Sequence, residues 1–411
     1  MNLWPAIARF LALQRNTSLL LVALVLAGTG EKLWLGFAPK YLQTLGAGVL
    51  VIGLFDALQT LLGAVYAWPG GWLTDRWGHR RSLLFFNGLS VAGYALVLCW
   101  THWLALLAGS FLFLAWSALS LPATFSVVAT ALDARQHTMG IGVQSLVRRV
   151  PMMLGPLVGG WLIARRGWAA GIHEALLGCI ALGILTALFQ WFMVDPEPPP
   201  SAENGSATAA NTVGLRDVAK SFSPALRELL VSDILIRFCE RIPYAFLILW
   251  AMNHGGLDAQ EYSWLVAIEM ITAMFCYIPV AHLADKYGRR PFVLATFGFF
   301  TLFPLSLVWA NNFGWLAVAF CIRGLKEFGE PARKALIISQ AAPELRARTY
   351  GAYYLIRDCV VTSGSFLGAW LWSISPQTNF FGAAALGAAG TIFYLFATNE
   401  PKSFTKPEFQ N

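Results

Sequence analysis

Charge is what this chain lacks. Only 12% of its 411 residues are Asp, Glu, Lys or Arg, against 57% hydrophobic, where soluble domains carry about 25% charged residues. So few charges cannot cover a water-facing surface, which excludes an ordinary soluble protein and makes lipid the solvent; mean hydropathy is +0.58. Cysteine is also sparse. Cys99, Cys179, Cys239, Cys276, Cys321 and Cys359 stand singly in apolar segments without CxxC spacing and read as small buried hydrophobes. A P-loop is missing, which argues against ATP drive. His137, His173, His254 and His282 stand apart from one another, and neither a metal-site spacing nor a nucleophile–base pair is visible. No cofactor and no catalysis are therefore expected. Nor is there a basic block suited to nucleic acid.

What is present is a series of apolar runs of about 18 to 25 residues, the length that spans a bilayer as helix. Twelve can be drawn, near residues 18–43, 48–72, 82–100, 103–131, 139–164, 172–194, 227–253, 260–284, 291–310, 313–340, 349–373 and 379–397. Lys and Arg fall unevenly in the short loops. On one side lie Arg9, Arg15, Arg76, Arg80, Arg81, Arg135, Arg216, Lys220 and Arg227, then Lys286, Arg289, Arg290, Arg333, Lys334, Arg346, Arg348, Lys402 and Lys406. The other side has Lys40, Arg165 and Arg166. The bias predicts a multi-pass protein of the inner or plasma membrane with both termini cytoplasmic, and the net charge of +7 reflects it. The first run is preceded by Arg9 and Arg15 like a signal peptide, but it continues into Glu31-Lys32 and reads as an uncleaved first helix.

The chain is also duplicated. GGWLTDRWGHRR (70–81) returns as AHLADKYGRRP (281–291), with Asp75 on Asp285 at a spacing of 210 residues. LVRRVPMMLGPLVGGWL in the fifth run matches LIRDCVVTSGSFLGAWL in the eleventh at 209, setting Arg148 on Arg357, Arg149 on Asp358, Gly155 on Gly364 and Gly159 on Gly368. Glu31-Lys32 likewise falls on Glu240-Arg241. Between the halves, DPEPPPSAENGSATAANTVG has no apolar period and reads as a flexible linker. The expected organisation is a bundle over 1–195, a cytoplasmic linker over 196–215 and a second bundle over 216–411.

These residues resemble the major facilitator superfamily. Gly71, Leu73, Asp75, Arg76, Gly78, His79, Arg80 and Arg81 match its loop two–three signature, with His79 where Arg is usual. Leu283, Asp285, Lys286, Gly288, Arg289 and Arg290 form a second copy lacking the first Gly. The resemblance implies an all-α membrane protein of twelve transmembrane helices in two pseudo-symmetric six-helix bundles, transporting a small molecule by alternating access. It also implies that Gly71, Asp75, Arg76, Gly78, Arg80, Arg81, Asp285, Gly288, Arg289 and Arg290 form cytoplasmic gates. Asp75 would meet the start of the eleventh helix near 349–351, and Asp285 the fifth near 138–140. A carboxylate is favoured at a helix N-terminus; the bland alternative makes the arginines topology anchors only. Arg323–Pro331 resembles the family's helix-four motif, displaced into the second half, since the matching position is Leu114. Gly155-Pro156-x-x-Gly159-Gly160 resembles the Gly-Pro motif of drug–proton exporters, or merely permits close packing.

Charges within the spans must face a cavity or one another. Arg148, Arg149, Arg241 and Arg357 are the candidates for contacting an anionic group on a substrate, since guanidinium offers planar bidentate recognition. Glu31, Asp56, Glu240, Glu269, Arg323, Glu327 and Asp358 are the proton-coupling candidates. Arg323, Lys326, Glu327 and Glu330, at i, i+3, i+4 and i+7, are expected to form one continuous stripe on the tenth helix. The rival for Arg149 and Arg357 is a silent salt bridge with Asp358. Trp34, Trp116, Trp250 and Trp264 are possible pocket-lining residues; Trp68, Trp72, Trp77, Trp100, Trp103 and Trp168 suit the interface. The reading is thus a proton-coupled exporter of a small organic anion or zwitterion, sufficient as a monomer. Uptake by proton symport is the close alternative. A non-transporting membrane sensor or assembly factor is the alternative of another class.

Overall fold

The computed structural model describes residues 15–118, 149–193, 215–340 and 346–397, all of which are helical or in short connections. The first run forms α1 (Arg15–Trp34), a 3₁₀ turn (Leu35–Phe37) and α2 (Ala38–Thr44). Next come α3 (Val49–Trp77), α4 (His79–Cys99), α5 (Trp103–Phe113) and α6 (Arg149–Trp191). The second half holds α7 (Leu215–Lys220), α8 (Pro224–Tyr244), α9 (Leu247–Asn253), α10 (Ala259–Tyr287), α11 (Arg290–Trp309) and α12 (Phe313–Leu325). It ends with α13 (Glu330–Ser339), α14 (Arg346–Val361), α15 (Ser363–Ile374) and α16 (Pro376–Ala397). The fifth and sixth runs are joined in α6 by Gly167, whose φ of 79° and ψ of 173° end one helix and start the next. Such backbone geometry is confined to glycine.

Among the described residues, six helical stretches are long and apolar enough to cross a membrane: Ser18–Thr44, Val49–Tyr66, His79–Cys99, Arg149–Trp191, Arg290–Trp309 and Pro376–Ala397. The seventh, tenth and eleventh runs depart from that pattern for physical reasons. α8 carries Asp233, Arg237, Glu240 and Arg241, and the tenth and eleventh runs are each broken into two shorter helices. Large apolar side chains point outward as lipid requires: Leu50 is 64% exposed, Trp309 67%, and Phe275 and Phe396 77% each.

By proximity the chain divides into two compact units. One comprises Met1–Ala209 with Ala245–Met270, the other Ala210–Tyr244 with Ile271–Asn411. In the first unit α1 packs on α6 through small residues. Gly155 sits against the backbone of Lys32, Gly159 against the carbonyl of Leu33, and Gly28 against Pro151. The Cys179 thiol donates to the Gly30 carbonyl at 2.8 Å. Without a hydrophobic force between helices in lipid, such close backbone approach is what holds them. An aromatic core fills the end of α1: Trp34 lies edge-on to Phe113 at 5.1 Å, and Phe113 stacks on Tyr94. Trp34 is thus fully buried core, as is Trp116 beside Leu24 and Phe86. Trp250 stacks on His254 at 4.3 Å, and Trp264 is 51% exposed. The cysteines split: Cys179 and Cys239 are buried, whereas Cys99 and Cys359 are exposed, so the expectation of uniform burial fails for the last two, which lie on outward helix faces.

The second unit repeats the glycine contact. Gly368 of α15 meets the Ile242 carbonyl of α8, and Gly364 meets Phe238 and Arg241. Buried Asn379 of α16 donates to both Ile242 O (3.2 Å) and Gly368 O (2.8 Å), tying three helices at that crossing. The remaining core gathers Leu226, Leu229, Phe297, Phe300, Tyr353 and Tyr394.

Candidate functional site

Each copy of the loop signature turns on a glycine. α3 stops at Trp77 because Gly78 takes φ 81° and ψ 167°, and α10 stops at Tyr287 before Gly288 at φ 88°. These are conformations that L side chains avoid. The signature's Gly therefore sets the reversal that starts α4 and α11. Gly78→Ala is expected to cost about 1–3 kcal/mol, read as a lower unfolding midpoint. Gly298→Ala, within α11 and facing open space, is expected to raise it slightly, by about 0.5–1 kcal/mol.

The basic residues of the loops have assigned partners. Arg76 lies over Trp72 at 5.4 Å and Arg80 over Trp191 at 4.6 Å. Arg290 donates to Leu395 O at 2.7 Å, at the carbonyl end of α16, and Arg289 reaches Ala335 O at 3.5 Å near the end of α13. Both complement a helix C-terminus. Arg81 is exposed. Gly71 and Asp75 lie in α3 and Asp285 in α10, but their side chains are outside the described set, as are the 138–140 segment and Arg148.

The densest constellation is in the second unit, where α8, α13 and α14 meet. α8 contributes Asp233, Arg237 and Glu240, spaced i, i+4, i+7 and so on one face. The Lys326 ammonium donates to Glu240 Oε1 at 2.8 Å. Arg237 Nη1 donates to Glu240 Oε2 at 2.7 Å, and its Nη2 to Glu330 Oε1 at 2.5 Å. Arg333 donates from Nη2 to Glu330 Oε2 at 2.8 Å and from Nη1 to Asp233 Oδ2. Arg357 Nη1 reaches the same Asp233 oxygen at 3.3 Å, while Nη2 pairs with Asp358 Oδ1 at 2.7 Å. The order Lys326, Glu240, Arg237, Glu330, Arg333, Asp233, Arg357, Asp358 alternates in sign from end to end. Tyr353 OH donates to Asp233 at 3.2 Å, and the Arg357 guanidinium lies 4.2 Å from the Tyr354 ring centre.

Two expectations are corrected here. The tenth helix is not one continuous stripe. Lys326, Glu327, Phe328 and Glu330 bond to the carbonyls three residues back, as tight turns, because Pro331 offers no N–H and its ring excludes a regular helix onto the Glu327 carbonyl. Gly329 fills the break, its N–H donating to Thr296 Oγ1 at 2.5 Å. Lys326 and Glu330 still join the network, whereas Arg323 lies at the end of α12 among Tyr244, Phe303 and Phe320, each ring centre within about 5.5 Å. Second, Arg333 is not a loop cation; it is 1% exposed.

Of the other candidates, Arg357 pairs with Asp358, the salt-bridge alternative. Arg241 lies over Tyr244 at 4.8 Å, and Arg149 is half-buried at the start of α6. Glu31 is buried and pairs with Lys32 at 2.8 Å. Asp56 and Glu269 are buried in the first unit, Asp56 on α3 and Glu269 on α10. Sequence reasoning missed Asp233, Tyr353 and Tyr354. The helical spacing of Asp233 to Arg237 and of Tyr353 to Arg357 was the available signal.

Known proteins resemble the chain in sequence and in fold. An uncharacterized MFS-type transporter of Methanocaldococcus jannaschii is 20% identical over 93% of this chain and 95% of its own. The multidrug resistance protein MdtG of Klebsiella pneumoniae is 22% identical over 93% and 92%. The crystal structure of a point mutant of the nucleoside transporter NupG superposes with a TM-score of 0.76 at 13% identity, covering 93% of this chain and all of that one. The likeness establishes the all-α, twelve-span, two-bundle fold. The profile of the Major Facilitator Superfamily matches residues 20–252 and again 229–411. With duplicated glycine-turned loops, duplicated glycine crossings and a profile matched over each half, the chain belongs to the Major Facilitator Superfamily of membrane transporters.

Proposed function

We propose that this transporter exports a small organic solute in exchange for protons, with the alternating network of the second unit as the coupling element. The observation that carries the reading is the sign alternation itself. Eight ionised groups of balanced charge are stable at depth only while each keeps its neighbour. Protonating one carboxylate leaves a cation under-compensated and favours a rearrangement of α8 against α13 and α14. Asp358 suits the entry point, because its side chain is 29% exposed while those of Asp233 and Glu330 are 1% and 8% exposed. Glu240, at 19%, is the other reachable carboxylate. Export rather than uptake is supported by the name of the multidrug resistance relative and by the Gly-Pro sequence of α6. Arg148, Arg149, Arg241 and Arg357 remain our candidates for an anionic or zwitterionic cargo, Arg357 exchanging Asp358 or Asp233 for it. Cytoplasmic termini and a plasma-membrane location complete the proposal.

The test is proton flux in liposomes on adding pooled solutes. A solute-evoked signal in the wild type that is lost in Asp358→Asn or Glu240→Gln is the expected result, and its sign separates export from symport. A signal unchanged in both variants would remove the network from coupling.

A further inference from the structure

We propose that the last turn of α3 and the last turn of α10 each hold the phosphate of one anionic phospholipid, whose acyl chain lies along the helix face beneath. Both helices are 29 residues long. At a rise of 1.5 Å per residue each spans about 43 Å, the thickness of a bilayer with its headgroups rather than of the hydrocarbon core alone. The last turns are therefore at headgroup level. Each contains a cation, Arg76 in α3 and Lys286 in α10. The faces that lead up to these cations repeat. Leu61, Val65 and Arg76 stand at i, i+4 and i+15, one side of a helix, and Ile271, Phe275 and Lys286 take the same places 210 residues later. All six side chains are exposed, Val65 by 47% and Phe275 by 77%, so both stripes face outward.

An aromatic ring backs each cation. The Arg76 guanidinium lies 5.4 Å from the centre of the Trp72 ring, and the Lys286 ammonium 5.3 Å from that of Tyr287. Both rings are exposed and suit the headgroup level. Among the described residues these rings are the partners of Arg76 and Lys286. A ring engages one side of a cation and leaves its N–H donors for phosphate oxygens. Arg289 and Arg290 of the same loop are placed otherwise, donating to Ala335 O and Leu395 O. Charge complementarity selects the occupant. Arg76, Arg80 and Arg81 stand against Asp75, and Lys286, Arg289 and Arg290 against Asp285, three basic residues to one acid in each loop. An outward apolar stripe ending in a net positive turn matches a molecule with an acyl chain and an anionic head. A soluble anion would use the turn and not the stripe.

The test is native mass spectrometry of the full chain released from micelles containing equal phosphatidylglycerol and phosphatidylcholine of the same acyl chains. The wild type is expected to retain phosphatidylglycerol preferentially, with two tightly held molecules per chain. Arg76→Gln and Lys286→Gln are each expected to weaken one of the two about fivefold, and the double variant to weaken both. Phe275→Ala, which shortens the second stripe without changing charge, should lower retention as well. Lys334→Gln, at an exposed cation of neither stripe, is expected to match the wild type. Equal retention of both lipids, or a double variant that binds as the wild type does, would overturn the proposal. So would displacement of the lipid by inorganic phosphate at comparable concentration, which would mark a site for free anions. Unfolding midpoints of the variants separate lost binding from lost fold.

Discussion

Arg333→Met is expected to be among the most damaging single substitutions in the molecule, lowering stability by about 3–5 kcal/mol. The argument is electrostatic. Arg333 is 1% exposed and pairs with both Asp233 and Glu330, whereas Arg237, which also reaches both, stands 3.8 Å from Asp233. Removing it leaves those two buried carboxylates sharing Arg237 and Arg357, each of which already serves a second acid. Methionine preserves much of the volume, so the loss reports charge rather than a cavity. Lys334→Ala, at the exposed neighbouring position, is expected to change stability by no more than about 0.5 kcal/mol. The measurement is the unfolding midpoint in mild detergent, together with the fraction recovered as a monodisperse peak. Asp233→Asn combined with Arg333→Met is expected to be less damaging than the sum of the two single changes, because the charges are deleted together. Strict additivity would mean that Arg333 and Asp233 do not act through each other, and the alternating order would lose its central link.

The same network shows which parts of the molecule were readable in the residues and which were not. The membrane class, the duplication and the superfamily were legible because they rest on composition, on run length and on spacings of 209 and 210 residues, none of which depends on packing. Pairings across helices depend on rotation about helix axes that have no sequence period of their own. Asp233, close to the start of the seventh run, was not among the candidates, yet it receives Arg333, Arg357 and Tyr353 from two other helices. Arg333 followed Pro331 by two residues and looked like a loop cation. The break at residues 326–329 turns the chain so that Glu330 and Arg333 enter the interior together. A proline and a glycine announced that a bend was allowed; the hydrogen bond from Gly329 to Thr296, which lies on α11, decided where it went.

The glycines of the fifth and eleventh runs support the second strong expectation. Gly159→Ala and Gly368→Ala should each destabilise the protein by about 1–3 kcal/mol, since an added methyl meets a backbone carbonyl and forces neighbouring helices apart. The obstructing atoms are the Leu33 carbonyl for Gly159 and the Ile242 carbonyl for Gly368. Backbone cannot rotate away as a side chain end can. Leu33 and Ile242 are themselves related by the 209-residue spacing, so the two crossings are one contact made twice, and their costs should agree. Having no partner in common, they should also add, giving about 2–6 kcal/mol for the double variant. Gly63→Ala, where a methyl meets nothing, is the matched control and should be neutral or stabilising by up to about 1 kcal/mol. Unfolding midpoints of the four proteins decide it. If Gly159→Ala and Gly368→Ala behave like Gly63→Ala, the glycines do not hold the crossings, and the Gly-Pro sequence of α6 must be explained by conformational change rather than by packing. If they fall together while the control stands, close approach of the first helix to the fifth, and of the seventh to the eleventh, is the structural reason these small residues recur in both halves.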